Sequence, residues 1–283
     1  MKLITWNVQW FCGLDGRVDV GRVVQHARAM ADFDVLCLQE VAVNYPRLKG
    51  NTAQDQPALL RSWLPGFELC FGAAVDERAT DGSGRRRFGN LIASRLPVLQ
   101  RQHHSLPYPP DVGVRSMPRM ATAVTLQAPW GPLRVMTSHL EYYSATQRMA
   151  QARELLRLHA QAAAQAAQPP MADDSGGPFQ AKPHTTDCIV TADFNFDPAS
   201  AEYAVMMGDN GDAPRLLDCW RLVHGQRPHE PTFHLYDKTY SPHPVACDFI
   251  FASAGLAPRV LQIGVDPQTR ASDHQPVLVE LRD

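Results

Sequence analysis

The stretch that most constrains this chain is Cys188-Ile189-Val190 running into Thr191-Ala192-Asp193-Phe194-Asn195. An apolar, β-branched run ending in a carboxylate and a carboxamide on alternate residues reads as a buried strand. It delivers Asp193 and Asn195 to one side at its C-terminal edge, because side chains alternate along a strand. Open α/β folds keep their chemistry at that edge. Two earlier stretches have the same form. Leu3 to Val8 reads as a strand with Asn7 near its end, and Val35 to Leu38 is a continuous apolar run followed by Gln39 and Glu40, as expected for a strand buried on both faces. Between them Val20, Val23, Val24, Ala27 and Met30 fall at near-helical spacing, so a helix is expected within residues 18–32.

The later chain repeats the pattern. Met120 to Gln127 and Leu133 to Ser138 flank the turn Trp130-Gly131-Pro132 as a hairpin, with His139 and Glu141 just beyond its second strand. Residues 146–167 form the strongest helix, and 169–187, rich in Pro, Gly, Ser and Asp, are expected to be a mobile surface loop. Cys247 to Phe251 reads as a buried strand with Asp248 at its start, and Ser272-Asp273-His274-Gln275-Pro276 as a tight turn into the last strand, Val277 to Leu281. Residues 216–223 are expected to be a short helix, and 76–89 and 236–244 polar loops. Arg85-Arg86-Arg87 in the first of these is open to two readings, a solvated loop tip or a phosphate-attracting rim. Two rounds of strands and helices with no compositional break between them favour one domain, 1–283, made of two packed sheets with helices outside.

Composition narrows the function classes. A net charge of −2 argues against a protein that grips nucleic acid through a broad basic face, and no basic recognition helix is present. The six cysteines are scattered without a C-x-x-C pair, which suits buried reduced thiols. No stretch reaches the ~18 apolar residues of a membrane span, and the N-terminal apolar run is too short for a signal peptide, so a cytoplasmic enzyme or module is the expectation.

The polar residues at the ends of apolar runs are Asn7, Glu40, His139, Asp193, Asn195, Asp248, Asp273 and His274. Any one alone reads as a cap or turn former. Together they describe a hard, oxygen-rich site suited to magnesium or manganese rather than structural zinc. Asp273-His274 with a remote Asp248 also makes a carboxylate-oriented imidazole able to take a proton from water. With a divalent ion, the chemistry that follows is hydrolysis of a phosphate ester.

The strings Thr5-Trp6-Asn7-Val8, Leu38-Gln39-Glu40, Gly89 to Val98, Thr137-Ser138-His139-Leu140-Glu141, Ala192-Asp193-Phe194-Asn195, Cys247-Asp248-Phe249-Ile250 and Ser272-Asp273-His274-Gln275-Pro276 resemble, in that order, the signature blocks of the endonuclease/exonuclease/phosphatase (deoxyribonuclease I-like) superfamily. The resemblance implies a four-layered α/β sandwich, two packed mixed β-sheets flanked by helices, with the site at one edge. It implies that Glu40 is the principal magnesium ligand, with Asn7 beside it and Asp273 nearby. His274 would be the water-activating base oriented by Asp248. Asp193 would position the nucleophile or protonate the leaving oxygen, and Asn195 and His139 would hold the phosphate. Two positions depart from the pattern. Gln9 stands where many repair nucleases have an aspartate, which weakens a two-metal proposal, and Ala192 stands where glycine is usual, which suits a backbone with φ below zero.

The expected activity is therefore divalent-metal-dependent hydrolysis of phosphate esters, with a phosphodiesterase or nuclease favoured. A phosphomonoesterase, a phospholipid-headgroup phosphodiesterase and a catalytically silent phosphate or nucleic-acid binding module are the alternatives. The fold does not choose the substrate.

Overall fold

Alternation along the strands sets the layers. In the computed structural model, which describes residues 1–179, 182–240 and 242–283, Leu3 of β1 (Lys2–Asn7) enters one apolar cluster while Ile4 and Trp6 enter another. Along β2 (Val35–Val43), Val35 and Cys37 join the first cluster and Leu36 and Leu38 the second. On β7 (Gly131–His139), β8 (Cys188–Asp193) and β10 (Asp248–Ser253), Val135, Ile189 and Ile250 share that first cluster, while Met136, Val190 and Phe251 face a third. One cluster shared by both sets of strands, with a separate cluster on each outer face, means two stacked sheets covered by helices.

The remaining strands are β3 (Glu68–Arg78), β4 (Arg85–Ser94), β5 (Val98–Ser105), β6 (Met120–Ala128), β9 (Leu216–Asp218), β11 (Val260–Val265) and β12 (Val277–Leu281). One six-stranded sheet runs β11-β12-β1-β2-β4-β3 and the other β5-β6-β7-β8-β10-β9. Each mixes parallel and antiparallel pairs, giving the expected four-layered sandwich. Helices α1 (Val20–Met30) and α2 (Gln56–Trp63) cover the first sheet with Val23, Val24 and Leu60. Helices α3 (Ala145–Ala167) and α4 (Ala201–Met206) cover the second with Leu155, Leu158 and Met206. The side chains of Asp19 and Ser144 cap α1 and α3, accepting from the backbone N–H of Arg22 and Gln147.

Strand direction places the site. β1 runs parallel to β2 and β7 parallel to β8, so Asn7, Glu40, His139 and Asp193 all arrive at one edge. β10 runs antiparallel to β8 with Asp248 opposite Asp193, which brings the start of β10 to the same edge.

Three local expectations are corrected. Residues 76–89 are mostly the β3–β4 hairpin rather than a loop, with the turn confined to 79–84, where Gly82 and Gly84 take positive φ. Arg85, Arg86 and Arg87 consequently lie on β4 and pair with Asp76, Asp81 and Asp55, so the phosphate-attracting-rim reading gives way to neutralised surface ion pairs. The expected helix 216–223 divides into β9 and α5 (Cys219–His224), because the Asp218 carboxylate accepts from Trp220 N–H and starts the helix there. The described residues of 169–187 carry no helix or strand; positions 180 and 181 of that expected loop, and 241 of the 236–244 loop, lie outside the described residues. All six cysteines are buried free thiols, and no helix among the described residues is long and apolar enough to cross a membrane.

Candidate active site

Between the sheets the side chains change character along each strand. Leu3, Val35, Val135 and Ile189 are apolar. One step nearer the edge, Gln39 Nε2 donates to Thr5 Oγ1 (3.1 Å) and Thr137 Oγ1 (2.8 Å), and Thr191 Oγ1 donates to Thr137 Oγ1 (3.0 Å). One step further stand Asn7, His139 and Asp193. Successive residues on one strand face thus lead from core, through a buried hydroxyl and amide layer, to the candidate site.

Glu40 reaches the same place by a distortion. An extra residue in β2 shifts its pairing with β4 between Leu38 and Val41, and Glu40 itself has φ +61°. Such a bulge re-aims a side chain at the sheet edge, and a non-glycine residue in that region costs roughly 1–3 kcal/mol that the surroundings must offset.

Asp193 is the hub. Its Oδ2 accepts from Asn7 Nδ2 (2.9 Å) and lies 3.4 Å from His139 Nε2 and 3.5 Å from His274 Nε2, while Oδ1 accepts from Asn195 N (3.0 Å). Asn7 Nδ2 also donates to Glu40 Oε1 (3.1 Å), and His139 Nδ1 is 3.8 Å from that oxygen. His274 Nδ1 is 2.9 Å from Asp248 Oδ2. Its ring stacks on Phe233, with centroids 4.1 Å apart, and its carbonyl accepts from Trp6 Nε1 (2.9 Å). The imidazole is therefore fixed by Asp248 and Phe233, and its backbone by Trp6. All eight residues singled out in the sequence come to this edge; Asn195 turns one amide N–H back to Leu140 O (2.9 Å).

Burial raises the carboxyl groups of Asp193 and Asp273 to about 6, and adjacent Asp248 and Glu40, respectively, add to the effect. Glu40 is raised too, by burial and by Asp193. His139 is held well below its ordinary value by burial and then by Arg119, so it is a neutral imidazole. Burial works against charge on His274, but Asp248 and Asp193 outweigh it and lift the group to about 10.

Crowded carboxylates of raised pKa suit a cation. Glu40 and Asp273 face one cavity of ≈ 340 Å³, and Glu40 Oε2 accepts no hydrogen bond among the described residues. Asn7 adds a carboxamide oxygen, and these hard oxygen donors fit a divalent ion. Asp193, Cys247, Asp248 and His274 form a second compact group. Burial first, and then Asp248, push the Cys247 thiol well up, so it stays protonated; the His274–Asp248 hydrogen bond engages two of the other three members, and Asp193 Oδ2 accepts from Asn7. The oxygen cluster is the better cation site.

The structure gives a partner to Gln9, marked in the sequence only as a departure from the family pattern, and adds residues that the sequence did not single out. Gln9, at φ +44°, donates through Nε2 to Asp273 Oδ2 (2.7 Å), so the amide positions this carboxylate where an aspartate would repel it. Arg119, only 7% exposed, pairs through Nε with Glu141 Oε2 (3.1 Å), while its Nη1 has no partner and the side chain lines the cavity. Extending the hairpin register from Ala121 opposite Ser138 would have set Arg119 opposite Leu140, beside His139 and Glu141. At the mouth stand Tyr142, Tyr143 and Tyr240, with the Arg115 guanidinium 5.8 Å from the Tyr143 ring centroid. Ala192 is outside the positive-φ positions, as a side chain there requires.

The sequence profile of the Endonuclease/Exonuclease/phosphatase family matches residues 4–274. The chain belongs to the endonuclease/exonuclease/phosphatase family. Similar solved structures include an endonuclease/exonuclease/phosphatase from Beutenbergia cavernae DSM 12333, with TM-score 0.70 and 25% identity over 100% of this chain and 71% of that one. The mannosyl-6-phosphatase Bt3783 of Bacteroides thetaiotaomicron VPI-5482 has TM-score 0.67 and 18% identity over 100% of both chains. D. rerio TDP2, complexed with single strand DNA product, has TM-score 0.65 and 19% identity over 100% of this chain and 99% of that one. No protein of curated function matches. Endonuclease/exonuclease/phosphatase proteins are phosphoester hydrolases, and the cavity at the sheet edge is where this one gathers its acids, amides and imidazoles.

Proposed function

We propose that residues 1–283 act as one divalent-metal-dependent phosphodiesterase, with a nucleic acid strand or nucleotide as substrate. The observation that carries this reading is the His274–Asp248 dyad (2.9 Å) opening onto the same cavity as Glu40, Asp273 and Asn195. In the metal-free chain His274 holds its proton; a divalent ion on Glu40 and Asp273 would offset the carboxylate charge that favours the imidazolium. The neutral ring then accepts the proton of an attacking water at Nε2, with Asp248 keeping Nδ1 protonated and stabilising the imidazolium that results. Asp193, 3.5 Å from that Nε2, lies on the side of the base and positions the water. Asn195, neutral His139 and the free Nη1 of Arg119 hold the phosphoryl oxygens. Glu40, Asn7 and Asp273 would hold magnesium, with manganese as the alternative, and the ion would offset charge developing on a phosphoryl oxygen.

The rim supports a diester with a planar group. Tyr143 is 48% exposed, its ring lies 4.8 Å from Tyr142, and Arg115 beside it has no carboxylate partner among the described residues. Exposed rings next to an unpaired cation suit a base and its flanking phosphate.

The test is hydrolysis of bis(p-nitrophenyl) phosphate, p-nitrophenyl phosphate, and single- and double-stranded DNA with magnesium, manganese or EDTA. Metal-dependent cleavage of diester or DNA that disappears in Glu40→Ala is expected. Cleavage of the monoester alone would replace this reading with a phosphomonoesterase, and silence on all substrates would favour a binding module.

A further inference from the structure

A second cavity, of ≈ 240 Å³, lies on the outer face of the second sheet, between β5–β6–β7, the last turns of α3 and residues 182–185. Its floor is Arg134 of β7, only 7% exposed. A buried guanidinium normally faces a carboxylate, because an uncompensated charge away from water is costly. Arg134 has no carboxylate within ion-pair distance among the described residues. Nη1 donates to Gln102 Oε1 (2.9 Å), Nη2 lies 3.4 Å from His104 Nε2, and Nε is buried with no partner. Burial of His104 disfavours its protonation, and Arg134 and Arg157 add to this, so the ring does not compete as a cation. The nearby Glu154 carboxylate is taken by Arg157 through both oxygens. Across the cavity His184 Nε2 is likewise buried and unpartnered, and Lys182, exposed, lines the mouth without an ion pair among the described residues. Gln100, Gln102 and Thr125 supply neutral polar walls.

From this set we infer that the cavity is an anion site that takes a phosphate group, either as inorganic phosphate or as the monoester of a small polyhydroxylated molecule. The guanidinium provides the fixed charge, Arg134 Nε and His184 Nε2 the directed donors, and Lys182 the closing charge; the amides and Thr125 pair with hydroxyl groups of a larger ligand. Phosphate offers acceptors for both unsatisfied donors, which have no partner among the described residues. The site is separate from the catalytic cavity, since Arg134 and His139 sit five residues apart on β7, roughly 17 Å along a strand.

Titration calorimetry on the full chain in EDTA, with inorganic phosphate, ribose 5-phosphate and, at matched ionic strength, chloride, tests the inference. Phosphate or its ester should bind while chloride does not. Binding should weaken at least about tenfold in Lys182→Glu and in Arg134→Met and persist in Asn195→Ala, which alters only the catalytic cavity. Tighter binding of the ester than of phosphate would identify the larger ligand, and equal binding the free anion. Lys182 is on the surface, so Lys182→Glu keeps the test valid if Arg134→Met does not fold. Absence of binding to the native chain, or binding abolished by Asn195→Ala and unchanged by Lys182→Glu, would overturn the proposal.

Discussion

Asn7, at the end of β1, donates a hydrogen bond of 2.9 Å to Asp193, at the end of β8, and so ties the two sheets together at the candidate site. The same Nδ2 serves Glu40 Oε1 at 3.1 Å, and Asn7 Oδ1 accepts from Gln9 N at 3.0 Å. One carboxamide therefore holds a carboxylate from each sheet and the backbone of the loop that carries Gln9.

Replacing it should affect stability and turnover together. Asn7→Ala leaves buried Asp193 and half-buried Glu40 short of a donor, a loss of about 1–3 kcal/mol. The urea midpoint should fall and diester hydrolysis should drop steeply. Unchanged stability would show that Asn7 does not tie the sheets.

His274 is raised to about 10 by Asp248 and Asp193 against the opposing effect of its burial. Because the folded value exceeds the unfolded one, the stabilisation is fully present below pH about 6.5 and is lost as pH rises through about 10. In metal-free protein, nitrogen NMR of the ring should show this high titration, and Asp248→Asn should bring it down. Turnover in that variant should fall by about 10²–10⁴.

Asp193 and Asp273 carry carboxyl groups raised to about 6, so the folded chain holds these protons more tightly than the unfolded chain. Without metal, stability therefore falls as pH rises from the ordinary carboxylate range through about 6. A divalent ion competes with those protons, and the rise in melting temperature on adding magnesium should be larger at about pH 7.5 than at about pH 5. A shift independent of pH would place the ion away from Glu40 and Asp273.

The layers were legible in the sequence because buried strands write themselves as unbroken apolar runs, as in Val35 to Leu38 and Cys188 to Val190, with polar residues where the runs stop. The residues gathered at the site were legible for the same reason. β5 was not, since its alternate residues face solvent and its sequence, Val98 to Ser105, is mostly polar. Nor was the outer half of the β3–β4 hairpin, which is held by surface ion pairs in place of a hydrophobic face. Arg119, Phe233 and Gln9 act through contacts across strands or sheets, with Glu141, His274 and Asp273 respectively, and local spacing carries no trace of such partners.

Arg119→Ala would strand Glu141, which is 1% exposed, without its cation. Breaking a buried pair from one side costs about 3–5 kcal/mol. Adding Glu141→Gln should restore part of the loss, and a double-mutant cycle in urea should show coupling between the two sites. Additive losses would mean that the pair contributes nothing beyond its separate halves.

The central claim is that His274 takes the proton of the attacking water. His274→Gly should fold, bind magnesium and lose about 10²–10⁴ in the hydrolysis of bis(p-nitrophenyl) phosphate, and added imidazole should restore part of the rate in proportion to its neutral form. Turnover close to that of the native chain in the absence of imidazole would contradict the assignment.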